Sequence, residues 1–137
     1  MVHLAFVNSP TKLEADLQAI KSLDVLMTDI VTELYQSVPF PDWRAVTMFS
    51  KYTPDASVSG HDFDFVRADG SQGLGSLPAD AALIRLGNAT KSHWRLTQDL
   101  GQPRWYKMIV TVERSGKFSV DFEYKNDYQE GDIMKRS

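Results

Sequence analysis

The stretch Trp105-Tyr-Lys-Met-Ile-Val-Thr-Val-Glu-Arg-Ser-Gly-Lys-Phe-Ser-Val-Asp-Phe-Glu-Tyr124 decides how the chain is read. Met108, Val110 and Val112 alternate with Lys107, Thr111 and Glu113. Beyond Ser115-Gly116, Phe118, Val120, Phe122 and Tyr124 alternate with Lys117, Ser119, Asp121 and Glu123. A period of two is that of a strand with one face buried, so the stretch predicts a β-hairpin. Its register follows from the faces. A two-residue loop would set Val112 opposite Ser119 and mix apolar with polar. A three-residue loop, Arg114-Ser115-Gly116, pairs Val112 with Phe118, Val110 with Val120, Met108 with Phe122 and Tyr106 with Tyr124. It also brings Glu113 to Lys117 and Lys107 to Glu123. Gly116 then takes the left-handed position that such loops need. A slip by one residue would expose the whole apolar set. Val110, Val112, Phe118, Val120 and Phe122 are accordingly expected in the core.

Upstream, Thr11 with Glu14 three residues later has the form of a capping box. Leu13, Leu17, Ile20, Met27, Ile30, Val31, Leu34 and Val38 follow at helical spacing, which predicts a helix over 12–37 that covers a sheet. Pro39-Phe40-Pro41 ends it, because proline neither continues a helix nor tolerates one at the residue before it. Trp43 to Tyr52 is apolar on both faces, as in a central strand. Thr53-Pro54-Asp55 signals a turn, and a second strand is expected near Val58 to Arg67. The glycine-rich segment 71–76 reads as a loop or a short edge strand. Pro78 suits the first turn of a second helix, carried on by Ala82, Leu83, Leu86, Ala89, His93, Leu96 and Leu100 and stopped by Gly101 and Pro103. The predicted order is α-β-β-(β)-α-β-β. The expected fold is α+β, an antiparallel sheet with two helices packed on one face, in a single domain over 1–137.

The bulk properties narrow the function. The 137 residues suffice for one core. With 42% hydrophobic and 24% charged residues the composition is that of a soluble protein. There is no cysteine, hence no disulfide or thiol chemistry. No run reaches the roughly 18 apolar residues of a membrane span, and residues 1–7 lack the form of a signal peptide. A cytoplasmic protein is expected. The net charge of −3 argues against direct nucleic-acid binding.

Catalytic patterns are weak. In His61-Asp62-Phe63-Asp64 the two aspartates share one strand face and the histidine takes the other, so a common metal is not expected. Ser59-Gly60-His61 sets a hydroxyl near a base, but adjacency in sequence does not supply the geometry that nucleophilic catalysis needs. His93 sits on the apolar side of its helix and reads as a core histidine. There is no phosphate-binding glycine loop and no zinc spacing. No catalytic residue, metal or cofactor is assigned. Charge is more informative. Asp121 and Glu123 lie on the polar side of the last strand, and Asp62 and Asp64 on the polar side of an earlier one. The tail adds Asp127, Glu130 and Asp132, with Tyr128 as an aromatic anchor. These eight residues form the candidate partner-binding surface, expected to gather on the face away from the helices and to attract a basic partner.

The run Ile109-Val110-Thr111-Val112-Glu113-x-Ser115-Gly116-Lys117-Phe118-Ser119-Val120-Asp121-Phe122-Glu123-Tyr124 resembles the YezG-like immunity proteins, which share a Ser-Gly-Lys-Phe turn and an Asp-Phe-acidic-Tyr strand. Ile30, Leu34, Val38-Pro39, Trp43 and Val46 are similar to that family's helix end, proline, tryptophan and first strand. The likeness spans most of the chain and departs in the shorter tail. It implies an antitoxin that binds and neutralises the domain of a cognate polymorphic toxin, often a nuclease, whose active site is basic because it holds a polyanion. The alternative from another class is an acidic secretion chaperone that binds an effector segment through apolar patches. A small enzyme that reverses toxin damage is the third reading.

Overall fold

The computed structural model describes residues 11–55, 59–73, 78–103 and 105–124. Helix α1 spans Lys12–Gln36, strand β1 Trp43–Tyr52, strand β2 Ser59–Arg67, helix α2 Asp80–Asp99, strand β3 Lys107–Glu113 and strand β4 Phe118–Glu123. The four strands form one antiparallel sheet in the order β2-β1-β3-β4. The class is α+β, in the predicted element order.

Local chemistry sets the element ends. The Thr11 hydroxyl accepts from the Glu14 amide at 3.1 Å while the Glu14 carboxylate accepts from the Thr11 amide at 3.1 Å. Two amides that no helical carbonyl can reach are thus satisfied, and α1 starts there. The Thr11 amide and hydroxyl both donate to the Glu14 carboxylate and hold its pKa below the usual range. In the hairpin, Val112 pairs with Phe118, Val110 with Val120 and Met108 with Phe122. The Glu113 amide donates to the Lys117 carbonyl at 2.8 Å and the Gly116 amide to the Glu113 carbonyl at 2.9 Å. Gly116 has φ 94°, which a side chain would strain. The three-residue loop is the one the alternation demands. Gly101, at φ 71°, likewise follows α2.

The core lies between one sheet face and both helices. Val46, Met48 and Tyr52 of β1, Phe63 and Phe65 of β2, and Met108, Val110 and Val112 of β3 share that face. They pack with Ile30 and Leu34 of α1 and with Leu86 and Trp94 of α2. A bulge between Trp43 and Ala45 turns Trp43 to the same side, where its ring meets Tyr35 edge-on at 5.2 Å. Two polar contacts tie this layer together. The Tyr52 hydroxyl lies 2.7 Å from Thr90 Oγ1, and the Trp94 indole donates to the Trp105 carbonyl at 3.0 Å. Burial raises the Tyr52 pKa. The helices run antiparallel, with Arg85 near the start of α2 donating to Glu33 near the end of α1 at 2.6 Å.

Two expectations about the core are corrected. Phe118 is 52% exposed, and Val120 and Phe122 are only partly buried. Among the described residues β4 is the outermost strand, with a neighbour on the β3 side alone, and the helices cover it less than β3. On α1, Leu13, Leu17 and Ile20 are exposed and only Ile30 and Leu34 are buried. A helix of 25 residues is about 37 Å long, while β3, a strand of 7 residues, is only about 24 Å long. The packed second half of α1 accounts for its contact with the core, and the first half carries the apolar stripe on beyond it.

Candidate interaction surface

Strand alternation places the other side chains of the sheet on the face turned away from the helices. The registers give its rows. Asp62 pairs with Phe49, Phe49 with Ile109 and Ile109 with Asp121. Asp64 pairs with Thr47, Thr47 with Thr111 and Thr111 with Ser119. Lys51 pairs with Lys107, and Lys107 with Glu123. Asp62, Asp64, Asp121 and Glu123 therefore do share the face predicted for them.

They do not form one acidic cluster, and this is the main correction to the sequence reading. Strands β2 and β4 are the two opposite edges of the sheet. Asp62 and Asp121 stand in one row but three strand spacings apart, about 14 Å. At that distance, beyond the roughly 8 Å screening length at physiological salt, exposed charges act nearly independently. Between the acidic edges lie two lysines. Lys107 Nζ is 3.4 Å from Glu123 Oε2 and 6.0 Å from the centre of the Phe49 ring. Lys51, its cross-strand neighbour, is only 3% exposed. Two like charges directly opposed on a sheet are unfavourable unless neutralised, and Glu123 supplies part of that neutralisation. Neither Lys51 nor Asp64 is free of partners. The face thus carries carboxylates at both margins, two lysines in the one row of Lys51, Lys107 and Glu123, and apolar or hydroxyl side chains at the centre of the other two rows. Lys51 was legible in the sequence only as one more residue of an apolar strand. Its alternation with Thr47 and Phe49 put it on this face, but its burial had no sequence signal.

The two edges differ. Asp62 and Asp64 are partly buried, and the edge of β2 is flanked by 71–73: Gly73 donates to the Phe65 carbonyl and Arg67 to the Ser71 carbonyl. Asp121 and Glu123 are exposed, and among the described residues no strand pairs with the outer side of β4. Because Glu113 and Lys117 form a hydrogen-bonded pair, the alternation of an antiparallel ladder turns the backbone groups of Phe118, Val120 and Phe122 outward. Exposed Phe118 and Tyr124 flank that edge. Asp127, Tyr128, Glu130 and Asp132, also assigned to the surface from sequence, lie outside the described residues.

The histidines resolve differently from their sequence neighbours. His61 Nδ1 lies 2.9 Å from Ser50 Oγ, its cross-strand partner. The serine beside the base is therefore Ser50, not Ser59, which pairs with Tyr52. Ser50 is fully buried, where a substrate has no approach, so this contact satisfies a polar pair within the helix-facing layer. Burial lowers the His61 pKa, and the Asp62 charge opposes that shift. His93 is buried as expected, and burial pushes its pKa down to about 4. Among the described residues, no group of three or more His, Asp or Glu side chains could hold a metal ion, and no helix is long and apolar enough to cross a membrane. No protein-family model matches the chain, and no curated protein matches it significantly.

Proposed function

We propose that the chain is an immunity protein that acts in the cytoplasm, binding a cognate bacterial toxin domain and neutralising it by stoichiometric complex formation, with a basic nuclease as the toxin. The observation that carries this reading is the outer edge of β4, unpaired among the described residues. Exposed Asp121 and Glu123 alternate there with exposed Phe118 and Tyr124, on a strand whose outer backbone groups no described strand engages. Aromatic side chains supply contact area, carboxylates steer a basic partner, and outward amides and carbonyls offer pairing to an incoming strand. The likeness of this hairpin to the YezG-like proteins points the same way. Strand pairing at β4 would centre the interface on Asp121, Glu123 and their aromatic neighbours, with Asp62 and Asp64 on the far margin of the same face.

The test is a titration of toxin activity, using the toxin domain that this reading expects to be encoded beside the gene. Inhibition complete at one equivalent, with a complex that survives gel filtration, is expected. Protection at strongly substoichiometric amounts would mean turnover and would overturn the binding reading. A second reading, a secretion chaperone, is favoured by the exposed Leu13, Leu17 and Ile20 on α1. It predicts improved export or solubility of an effector without rescue of growth, whereas an immunity protein rescues growth.

A further inference from the structure

The outer edge of β4 is complementary to itself. The carbonyls of Lys117 and Glu123 accept from Glu113 and Tyr106 on the β3 side, so Phe118, Val120 and Phe122 turn their amides and carbonyls the other way. Among the described residues no strand engages those outward groups. A second β4, laid antiparallel on this edge about a two-fold axis normal to the sheet, satisfies them and keeps the helices of both copies on one side. Few registers are open. Outward residues must oppose outward residues, so Val120 meets Phe118, Val120 or Phe122 of the second copy. Opposing it to Phe118 runs the ladder into Gly116, whose φ of 94° is not that of a strand. Opposing it to Phe122 sets Asp121 against Asp121, a like-charge pair. Val120 against Val120 uses the edge from Lys117 to Glu123 in full. It pairs Phe118 with Phe122 and sets Lys117 against Glu123 on both sides of the axis.

The helix layer has a matching flank. Helix α2 packs over β1 and β2, with Thr90 against the Tyr52 hydroxyl and Gly87 beside His61. Helix α1 packs on β3, so it is the helix nearer the β4 edge. Ala15, Ala19 and Ser22 of α1 face the end of α2. Leu13, Leu17 and Ile20 lie half a turn round from them, on the flank turned away from α2 and towards that edge, and all three are exposed. Near the end of α1, the Tyr35 hydroxyl donates to the Arg114 carbonyl at the hairpin loop. Leu23 and Met27 lie instead by Tyr124, at the other end of β4. The first turns of α1 therefore project past that end, where an antiparallel second copy places its hairpin loop and its exposed Phe118. A second copy thus covers the apolar surface of β4 and that of α1 together, which a single added strand would not.

We infer that the free chain forms a two-fold dimer, in which β4 pairs antiparallel with β4 of a second copy in the Val120–Val120 register and the start of α1 in each copy rests against the hairpin of the other. On the antitoxin reading the toxin uses the same edge, so toxin and second copy exclude one another. Sedimentation equilibrium of the full chain should give twice its 15.5 kDa. Lys117→Glu turns both cross-copy ion pairs into like-charge pairs and should weaken the dimer about tenfold. Disulfide trapping reads the register, since the chain has no cysteine of its own. Ser119 and Asp121 are exposed on the outer face. Across the dimer they oppose one another as a non-hydrogen-bonded pair, whose Cα separation of about 4.5 Å suits a disulfide. Mild oxidation of a mixture of Ser119→Cys and Asp121→Cys chains should link one of each, whereas neither variant alone should link. A chain that stays monomeric up to about millimolar concentration, a dimer that folded Lys117→Glu leaves unweakened, a mixture that does not link, or either variant alone linking as well as the mixture would each overturn the assignment. None of these readouts involves a toxin, so failure of the dimer and failure of the antitoxin reading are separately visible.

Discussion

Acidification should destabilise this protein well above the pH at which its carboxylates protonate, and His93 is the reason. Burial lowers the folded-state pKa of His93 from 6.5 to about 4. Above pH 6.5 neither the folded nor the unfolded chain holds a proton there. As pH falls below 6.5 the unfolded histidine takes one and the folded one does not, so the unfolded state gains. The loss grows until pH approaches the folded value near 4 and then levels off. Linkage with these two values gives about 2 kcal/mol lost between pH 7 and pH 5, out of roughly 3 kcal/mol in full. The shifted carboxylates act at lower pH. Glu14, Glu33 and Asp69 have depressed pKa values, so their contributions are present above their unfolded values and are lost mainly below about pH 4.5. The window from pH 7 to pH 5 thus belongs to the histidines. His61, also depressed by burial, adds to the loss with the same sign.

His93→Phe isolates the effect. His93 Nδ1 has no partner to lose, and the ring already stacks on Phe122, so an aromatic replacement keeps the contact and removes the titration. Urea unfolding followed by tryptophan fluorescence, at constant ionic strength, should show the variant within about 1 kcal/mol of the parent at pH 7. Its loss of stability between pH 7 and pH 5 should be smaller by about 2 kcal/mol. If parent and variant lose the same stability over that interval, His93 is not held neutral by burial, and the packing around it is misassigned.

The edge position of β4 makes its aromatics poor contributors to stability: Met108→Ala, at a fully buried site, should cost about 2–5 kcal/mol, whereas Phe118→Ala should stay within about 1 kcal/mol, both read by chemical denaturation. Gly116→Ala forces a side chain into φ 94° and should cost about 1–3 kcal/mol, seen as a lower thermal midpoint without change in the far-ultraviolet spectrum. Tyr52→Phe removes the buried hydroxyl 2.7 Å from Thr90 and should cost about 1–2 kcal/mol in the same denaturation assay. Asp121→Lys should leave stability nearly unchanged and slow association with a basic toxin domain about fivefold at low salt, with the difference shrinking as salt rises; unchanged kinetics in a folded variant would place the interface elsewhere.

What the sequence determined by itself was everything carried by neighbours a few residues apart. Thr11 and Glu14 cap α1 because their reciprocal hydrogen bonds span three residues. The hairpin register follows from strict alternation on both sides of Gly116, since any other register would expose the apolar set. The central place of Trp43–Tyr52 was legible because a strand flanked on both sides tolerates apolar residues on both faces. The tertiary structure alone decided which edges those elements occupy. Strand β1 pairs with β3 across the whole of α2, and no periodicity records that choice. It is this pairing that sends Asp62 and Asp64 to the edge opposite Asp121 and Glu123, sets Lys51 beside Lys107 between them, and leaves Phe118 exposed on the outermost strand. The β1–β2 register joins His61 to Ser50, and the packing of the helices on the sheet leaves Trp105 and His93 with unpartnered nitrogens. Alternation fixes the face of a side chain, but its lateral neighbours depend on contacts between residues distant in sequence, and those are settled only when the layers pack.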